Sequence, residues 1–242
     1  MANNYVWSLP FLPIQIESIV EIGSRDALDA IFLSKFFDCE VIAFEPAPSN
    51  IDVCRENIRS SGRSSIELRT EALSKDSEEI EFFQVDSKLY DNPGASGMFL
   101  IDFSNRSKSD LDKNHPPIQS PVKVKAVRWD SLGLPSPELL VMDCEGAELA
   151  ALKGFGKALQ EVKYIVLEVS QVPIGDGACT FKQIEKFLRD NKFKFVASTI
   201  SRQPLKLKSI LFLSSLKRRV EKPWGKRLRG RSFDVVYRNA RF

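Results

Sequence analysis

Leu139-Leu140-Val141-Met142-Asp143-Cys144-Glu145-Gly146-Ala147-Glu148 is an apolar run that stops abruptly at three carboxylates spaced over six residues. A run of this kind suits a parallel strand buried on both faces, with the carboxylates at its C-terminal end. In open α/β sheets that edge is where ligands bind. The plainer alternative is a strand terminus followed by an acidic first helical turn, which the helix dipole favours in any protein. A second motif upstream asks for the same architecture and tips the balance.

That motif is Ile19-Val20-Glu21-Ile22-Gly23-Ser24-Arg25-Asp26-Ala27, followed from Leu28 to Phe37 by apolar residues at helical spacing. It reads as a strand over 18–23, a tight turn and a helix over 26–37. Gly23 can take a backbone conformation closed to other residues, and a helix N-terminus after it offers free N–H groups. Twenty-two residues after Gly23, the strand Glu40-Val41-Ile42-Ala43-Phe44 ends in Glu45-Pro46. A carboxylate at the tip of the second strand, about 20 residues beyond the glycine turn, is where a Rossmann-type site takes ribose hydroxyls. Glycine turn, spaced acid and acidic strand edge together point to a nucleoside-containing cofactor.

The turn narrows the choice of cofactor. A dinucleotide fingerprint, G-x-G-x-x-G, lets a helix approach a pyrophosphate closely. Here Glu21 stands two positions before a single glycine, and Ser24 and Arg25 follow it. An acid in that place repels a pyrophosphate but suits the cationic, zwitterionic methionine end of S-adenosylmethionine. The residues four after Tyr5, Tyr90, Tyr164 and Tyr237 are Leu9, Gly94, Glu168 and Arg241, so the Tyr-x-x-x-Lys relay of short-chain dehydrogenases is missing. Methyl transfer fits better than hydride transfer.

These residues resemble the FkbM-type class I methyltransferases. The resemblance rests on the glycine loop, on Phe44-Glu45-Pro46, and above all on Asp143-Cys144-Glu145-Gly146-Ala147-Glu148-Leu149-Ala150-Ala151-Leu152-Lys153-Gly154. Glu71-Ala72-Leu73-Ser74 after the third strand and Val127-Arg128-Trp129-Asp130-Ser131-Leu132, similar to the family's strand before the acidic motif, extend it. It runs from about residue 19 to about residue 197. Ala27 stands where class I enzymes commonly have a second glycine, and Val141 where many members have lysine. The resemblance implies a Rossmann-like class I methyltransferase fold: a mostly parallel seven-stranded sheet, an antiparallel last strand, and helices on both faces. It implies S-adenosyl-L-methionine as cofactor, with Glu21, Gly23, Ser24, Arg25, Glu45, Pro46, Glu71, Ala72 and Asp143 around it. It also implies O-methylation of a sugar, glycan or small-metabolite hydroxyl.

For catalysis the protein must place a nucleophile in line and help remove its proton. Asp143, Glu145, Glu148 and Glu168 are the candidate acids at the ends of the fourth and fifth strands, and His115, the single histidine, is a candidate base in a polar loop. Clustered carboxylates raise one another's pKa, which makes one a credible base near neutral pH. Metal binding by the same carboxylate cluster is a rival reading, since hard cations favour oxygen ligands.

The rest of the chain reads as helix 49–61, strand 65–70, a hairpin-like pair ending in 78–83, helix 147–159, strand 163–168, helix 180–191, strand 193–198 and a closing strand 232–237. A single domain over 1–242 is expected, with an N-terminal extension 1–17 and a polar stretch 86–121, long enough to be an acceptor lid carrying Ser96 and His115. At 242 residues and 43% hydrophobic content, a sizeable core is expected. No apolar run reaches a membrane span, and the N-terminus lacks a basic signal-peptide region. The expected location is cytoplasmic. Cys39, Cys54, Cys144 and Cys179 show no metal spacing and are expected as reduced thiols. Residues 202–231 hold eleven Lys/Arg against one acid, a charge of +10, in a chain whose net charge is +3. Such a segment attracts its own acidic body, an anionic acceptor or nucleic acid. Aromatic interleaving is limited to Phe212, Trp224 and the neighbouring Phe233, so nucleic acid is the weakest of the three. A non-catalytic module binding an anionic partner is the alternative from another class. Oligomeric state is left open.

Overall fold

The computed structural model of the protein describes residues 4–85, 95–101, 119–200 and 232–242. In chain order the first half supplies β1 (Ser18–Ile22), α1 (Leu28–Phe37), β2 (Glu40–Phe44), α2 (Pro48–Ser61), β3 (Ile66–Arg69), β4 (Ala72–Leu73) and β5 (Glu78–Val85). The second supplies β6 (Gln119–Val127), β7 (Leu139–Met142), α3 (Glu148–Gly154), β8 (Tyr164–Ser170), α4 (Phe181–Asp190), β9 (Phe193–Ser198) and β10 (Ser232–Asn239). A seven-stranded sheet runs β3-β2-β1-β7-β8-β10-β9, and β10 lies antiparallel to both its neighbours. The other pairings in that sheet are parallel, as expected of the class I arrangement.

Alternation along the strands divides the core in two. Ile19, Val41, Leu139, Val141, Val166 and Val236 pack with α1 residues Ala30, Ile31 and Leu33. Val20, Ile22, Leu140, Met142, Leu167 and Val235 pack with α3 and α4 through Leu152, Ile184 and Leu188. Helices therefore cover both faces, and all four residues of β7 are fully buried. That is why its sequence is unbroken apolar.

Five expectations need correction. The pair ending in 78–83 is no hairpin: β4 and β5 each pair with β6, which lies between them in a second, three-stranded sheet. Val127 ends β6, and Trp129–Ser131 is a 3-10 turn rather than part of a strand. Helix 147–159 divides at Phe155, because Gly154 packs its bare backbone against the Ser74 carbonyl and Gly156 takes φ +55 before a 3-10 turn over Gly156–Gln160. The first helix starts only at Leu28, since Arg25 and Ala27 hold left-handed φ of 56 and 60. Strand five reaches Ser170, drawn out by its pairing with β10. Most of 86–121, including His115, lies outside the described residues, as does the basic segment 202–231.

Candidate functional site

A cavity opens at the C-terminal edge of the large sheet. Glu21, Gly23, Ser24, Arg25, Glu45, Pro46, Glu71, Ala72 and Asp143 all line it. The topology brings them together: β1 and β2 contribute the glycine turn and Glu45, β7 ends at Asp143, and Glu71–Ala72 follows β3. Gly23 holds φ +87, and a Cβ there meets the Asp143 carbonyl oxygen at 1.9 Å. The glycine is thus demanded by the neighbouring strand, not only by a ligand. The seam is closed by Asp143 N–H donating to Ile22 O at 3.0 Å.

The turn does not offer free amides, contrary to the expectation from its sequence. Gly23 and Ser24 N–H both donate to Phe44 O at 3.0 Å, and Asp26 and Ala27 N–H donate to Ser24 O at 2.6 and 2.9 Å. Arg25 N–H donates to Glu45 Oε2 at 2.7 Å, and Leu28 N–H to Asp26 Oδ1 at 3.1 Å. The cause is the left-handed kink at Arg25 and Ala27, which folds the turn onto itself. A pyrophosphate meets no free donor among the amides from Gly23 to Leu28, which weakens the dinucleotide reading.

Glu21, Asp29 and Glu45 line the cavity in nearly complete burial. Glu21 is 2% exposed and accepts a bond from the Ser24 hydroxyl, while burial pushes its carboxyl well above the usual range. Glu45 is 4% exposed and accepts from Arg25 N–H, from Ala47 N–H at 2.8 Å and from Asn50 Nδ2 at 3.4 Å. Burial outweighs these bonds and lifts its pKa to about 6. A carboxylate has about four acceptor sites, so Glu45 keeps capacity for a further donor.

The acidic phrase divides its work. Asp143 faces the cavity. Glu145, at φ 48, places its Cβ beside Gly97. Glu148 is 3% exposed and turned into its own loop: Oε1 accepts from Cys144 and Gly146 N–H, each at 3.2 Å, and Oε2 from Cys179 Sγ at 3.3 Å. Neither Glu145 nor Glu148 lines the cavity. Glu148→Ala leaves two buried N–H groups without an acceptor, at about 1–3 kcal/mol each. Urea denaturation is expected to show a stability loss of about 2–5 kcal/mol, and a smaller one for Glu148→Gln, which keeps an acceptor oxygen.

Register adds an acid that the sequence reading missed. Because Ile22 pairs with Phe44 and Met142, and Met142 with Leu167, the next row across the edge is Glu45, Gly23, Asp143 and Glu168, with Asp234 directly opposite Glu168. Like charges directly opposed are unfavourable, and the titrations respond. Burial first, then Asp143 and Glu145, push Glu168 well up, and it shares a hydrogen bond with Asp143. Burial and Asp143 lift Asp234 to about 7. The available signal was an aspartate interrupting the apolar strand Phe233-Asp234-Val235-Val236. Tyr5 and Asp29, also on the cavity wall, went unread as well.

Residues 95–101 cross above this edge. Gly97 bridges Phe83 of β5, Ile101 bridges Gly175 beyond β8, and Ser96, Gly97 and Met98 line the cavity. Val85 N–H donates to Ser96 Oγ at 2.9 Å and Ile101 N–H to Gln119 Oε1 at 2.7 Å, which ties the segment down at both ends.

The Methyltransferase FkbM domain family matches residues 22–195, well over half of the chain. The protein belongs to the FkbM methyltransferase family. The FkbM match takes in the glycine turn and the acidic phrase but neither Tyr5 nor Asp234. Over 208 residues the protein is 24% identical to Methyltransferase 1 of Beauveria bassiana, a similarity covering 81% of this chain and 80% of that protein. A solved FkbM methyltransferase from Methylobacillus flagellatus superposes with a TM-score of 0.44 at 16% identity; the match covers 66% of this chain and spans 35% of that one. A SAM-dependent methyltransferase from Aquifex aeolicus gives 0.48 at 10% identity, over 97% of this chain and 88% of that one. Among the described residues of this FkbM domain, no group of three or more His, Cys, Asp or Glu is arranged to hold a metal ion. No helix among them is long and apolar enough to cross a membrane, and the four cysteines are unpaired.

Proposed function

We propose that the protein binds S-adenosylmethionine in this cavity and transfers its methyl group to a hydroxyl of a sugar, glycan or other small metabolite. The observation that carries this reading is the position of Asp143, which belongs both to the cavity wall and to the carboxylate row with Glu168 and Asp234. The residues present fit the cofactor. Glu45 has acceptor capacity for a ribose hydroxyl, Glu71–Ala72 supplies a polar and a backbone group for the base, and the buried acid Glu21 suits a cation. When bound, the cofactor supplies an electrophilic methyl carbon on a positively charged sulfur. The chain must then orient a hydroxyl beside Asp143 and accept its proton. Crowding keeps a proton among Asp143, Glu168 and Asp234 near neutral pH, so an ionised member can serve as base while a protonated neighbour holds the geometry. Glu145, beside Gly97, borders the acceptor side, and the stretch 86–121 with His115 is proposed as the acceptor lid. The hydroxyl preference comes from the family resemblance.

A screen of glycosides and small hydroxylated metabolites with radiolabelled cofactor tests the reading; no transfer to any of them, with intact cofactor binding, counts against this acceptor class. Glu45 makes a separate prediction about pH. Its ionised form is the acceptor for a ribose hydroxyl, and it holds its proton up to about pH 6. Affinity for S-adenosylhomocysteine is therefore expected to rise as pH climbs through about 6 and then level off. Glu45→Ala removes one such bond, worth about 1.5–3 kcal/mol, and Glu45→Gln loses the pH dependence. Calorimetry giving the same affinity for wild type and Glu45→Ala removes Glu45 from the site.

A further inference from the structure

The N-terminal segment sends one aromatic side chain into the cavity. Tyr5 is 4% exposed and lines the wall beside Asn4, Glu21, Asp29 and Asp143. Its backbone is held on both sides. Asn4 N–H donates to Asp29 Oδ1 at 3.2 Å, and the 3-10 turn over Val6–Phe11 starts with Ser8 N–H and Oγ both donating to Tyr5 O, at 2.9 and 2.7 Å. The ring packs into the same core as Ile16, Ile19 and Leu33, so its position is set by apolar contacts.

Packing identifies which end of the cavity it occupies. Tyr5 packs with Ile19 of β1 and its neighbour Asn4 is tied to Asp29 of α1, whereas Ala47 and Ala72, beside Glu45 and Glu71, pack in a separate cluster with Phe82. Tyr5 therefore sits at the Glu21–Asp143 end, away from Glu45 and from Glu71–Ala72. Burial and the acids Asp143, Glu21, Asp29 and Asp234 keep the phenol neutral, hence a hydrogen-bond donor. A donor matters at that end. The amino-acid portion of S-adenosylmethionine carries an ammonium, which the acids suit, and a carboxylate, which needs donors. The turn amides from Gly23 to Leu28 are all engaged within the protein.

We propose that Tyr5 closes the amino-acid end of the cofactor site, its ring forming the wall and its hydroxyl donating to the cofactor carboxylate. The inference rests on the S-adenosylmethionine reading above and adds a binding residue outside the stretch matched by the family.

Two ligands separate the two ideas. S-adenosylhomocysteine carries the amino-acid end, whereas 5′-methylthioadenosine keeps the nucleoside and lacks that end. Calorimetry on the full-length wild type and on Tyr5→Phe, which retains the ring, is expected to show homocysteine-ligand affinity falling about tenfold or more. Affinity for methylthioadenosine should stay within about twofold, since no donor is lost to it. Tyr5→Ala, which also opens the wall, should weaken S-adenosylhomocysteine further. If Tyr5→Phe binds S-adenosylhomocysteine as tightly as wild type, or loses both ligands equally, the hydroxyl role is wrong. Wild-type protein that binds neither ligand overturns the cofactor reading itself, and Tyr5 with it.

Discussion

Gly23→Ala is expected to cost the protein about 2–5 kcal/mol of stability and its ligand site together. The left-handed backbone at φ +87 costs an alanine about 1–2 kcal/mol. The added methyl also meets the Asp143 carbonyl oxygen at 1.9 Å and its carbon at 2.8 Å. Those atoms are backbone of the adjacent strand, so relief requires β1 and β7 to part, an overpacking cost of about 1–3 kcal/mol. Gly62 is the control. It holds φ +68 at the end of α2, but nothing lies within 4 Å of a Cβ there. Gly62→Ala should lose only the conformational part, about 1–2 kcal/mol. Urea denaturation of the two variants side by side decides the matter, and equal losses would mean the seam contact carries no weight.

Asp143→Asn is expected to lower turnover by about 10²–10⁴-fold, the range attributed to general base catalysis, with no loss of fold. The fold should if anything gain. Asp234 titrates at about 7 in the folded protein, and Glu168 also lies well above an ordinary carboxylate. Groups raised on folding make the native state bind more protons than the unfolded one, so stability falls as pH rises from about 4 through about 7. Removing the Asp143 charge lets both neighbours ionise at lower pH and reduces that fall. The variant should therefore resist urea slightly better than wild type at pH 7.5 and about equally at pH 4. Turnover is measured on whichever acceptor the radiolabel screen identifies. Full turnover in Asp143→Asn would reduce the aspartate to a strand cap.

Nine residues of the cavity wall, from Glu21 to Asp143, were legible because their signals are local. Glycine is favoured where φ is positive, and an acid at a strand tip follows an apolar run that can be read directly. Glu148 shows the limit of that reading. Its spacing from Asp143 matched a motif, but no spacing reveals that its side chain curls back to cap Cys144 and Gly146. The free amides expected after Gly23 failed for a related reason: left-handed φ at Arg25 and Ala27 is not written in residue types that usually adopt it. Asp234 and Tyr5 reach the site through tertiary pairing, one by antiparallel register and one by a segment crossing a face of the sheet. β6 did carry a signal, the alternation Val122-Lys123-Val124-Lys125, but it went unassigned behind the proline-bearing stretch that ends at Pro121.

The seam between β1 and β7 has a bearing on how the molecule assembles. Its two strands meet across a sequence separation of 120 residues, as between Ser18 and Glu138. Closing so long a loop is entropically costly and slow, and contacts of this kind set the pace of folding. Glu21 and Gly23 stand on one side of the join and Asp143 on the other. The site therefore cannot exist in part: a chain that has formed α1 and β2, or α3 and β8, has only half a cavity. A molecule seated there clasps the most remote pairing in the sheet. Ligand should accordingly slow global opening, and nascent or partly unfolded chains should have no means of capturing it.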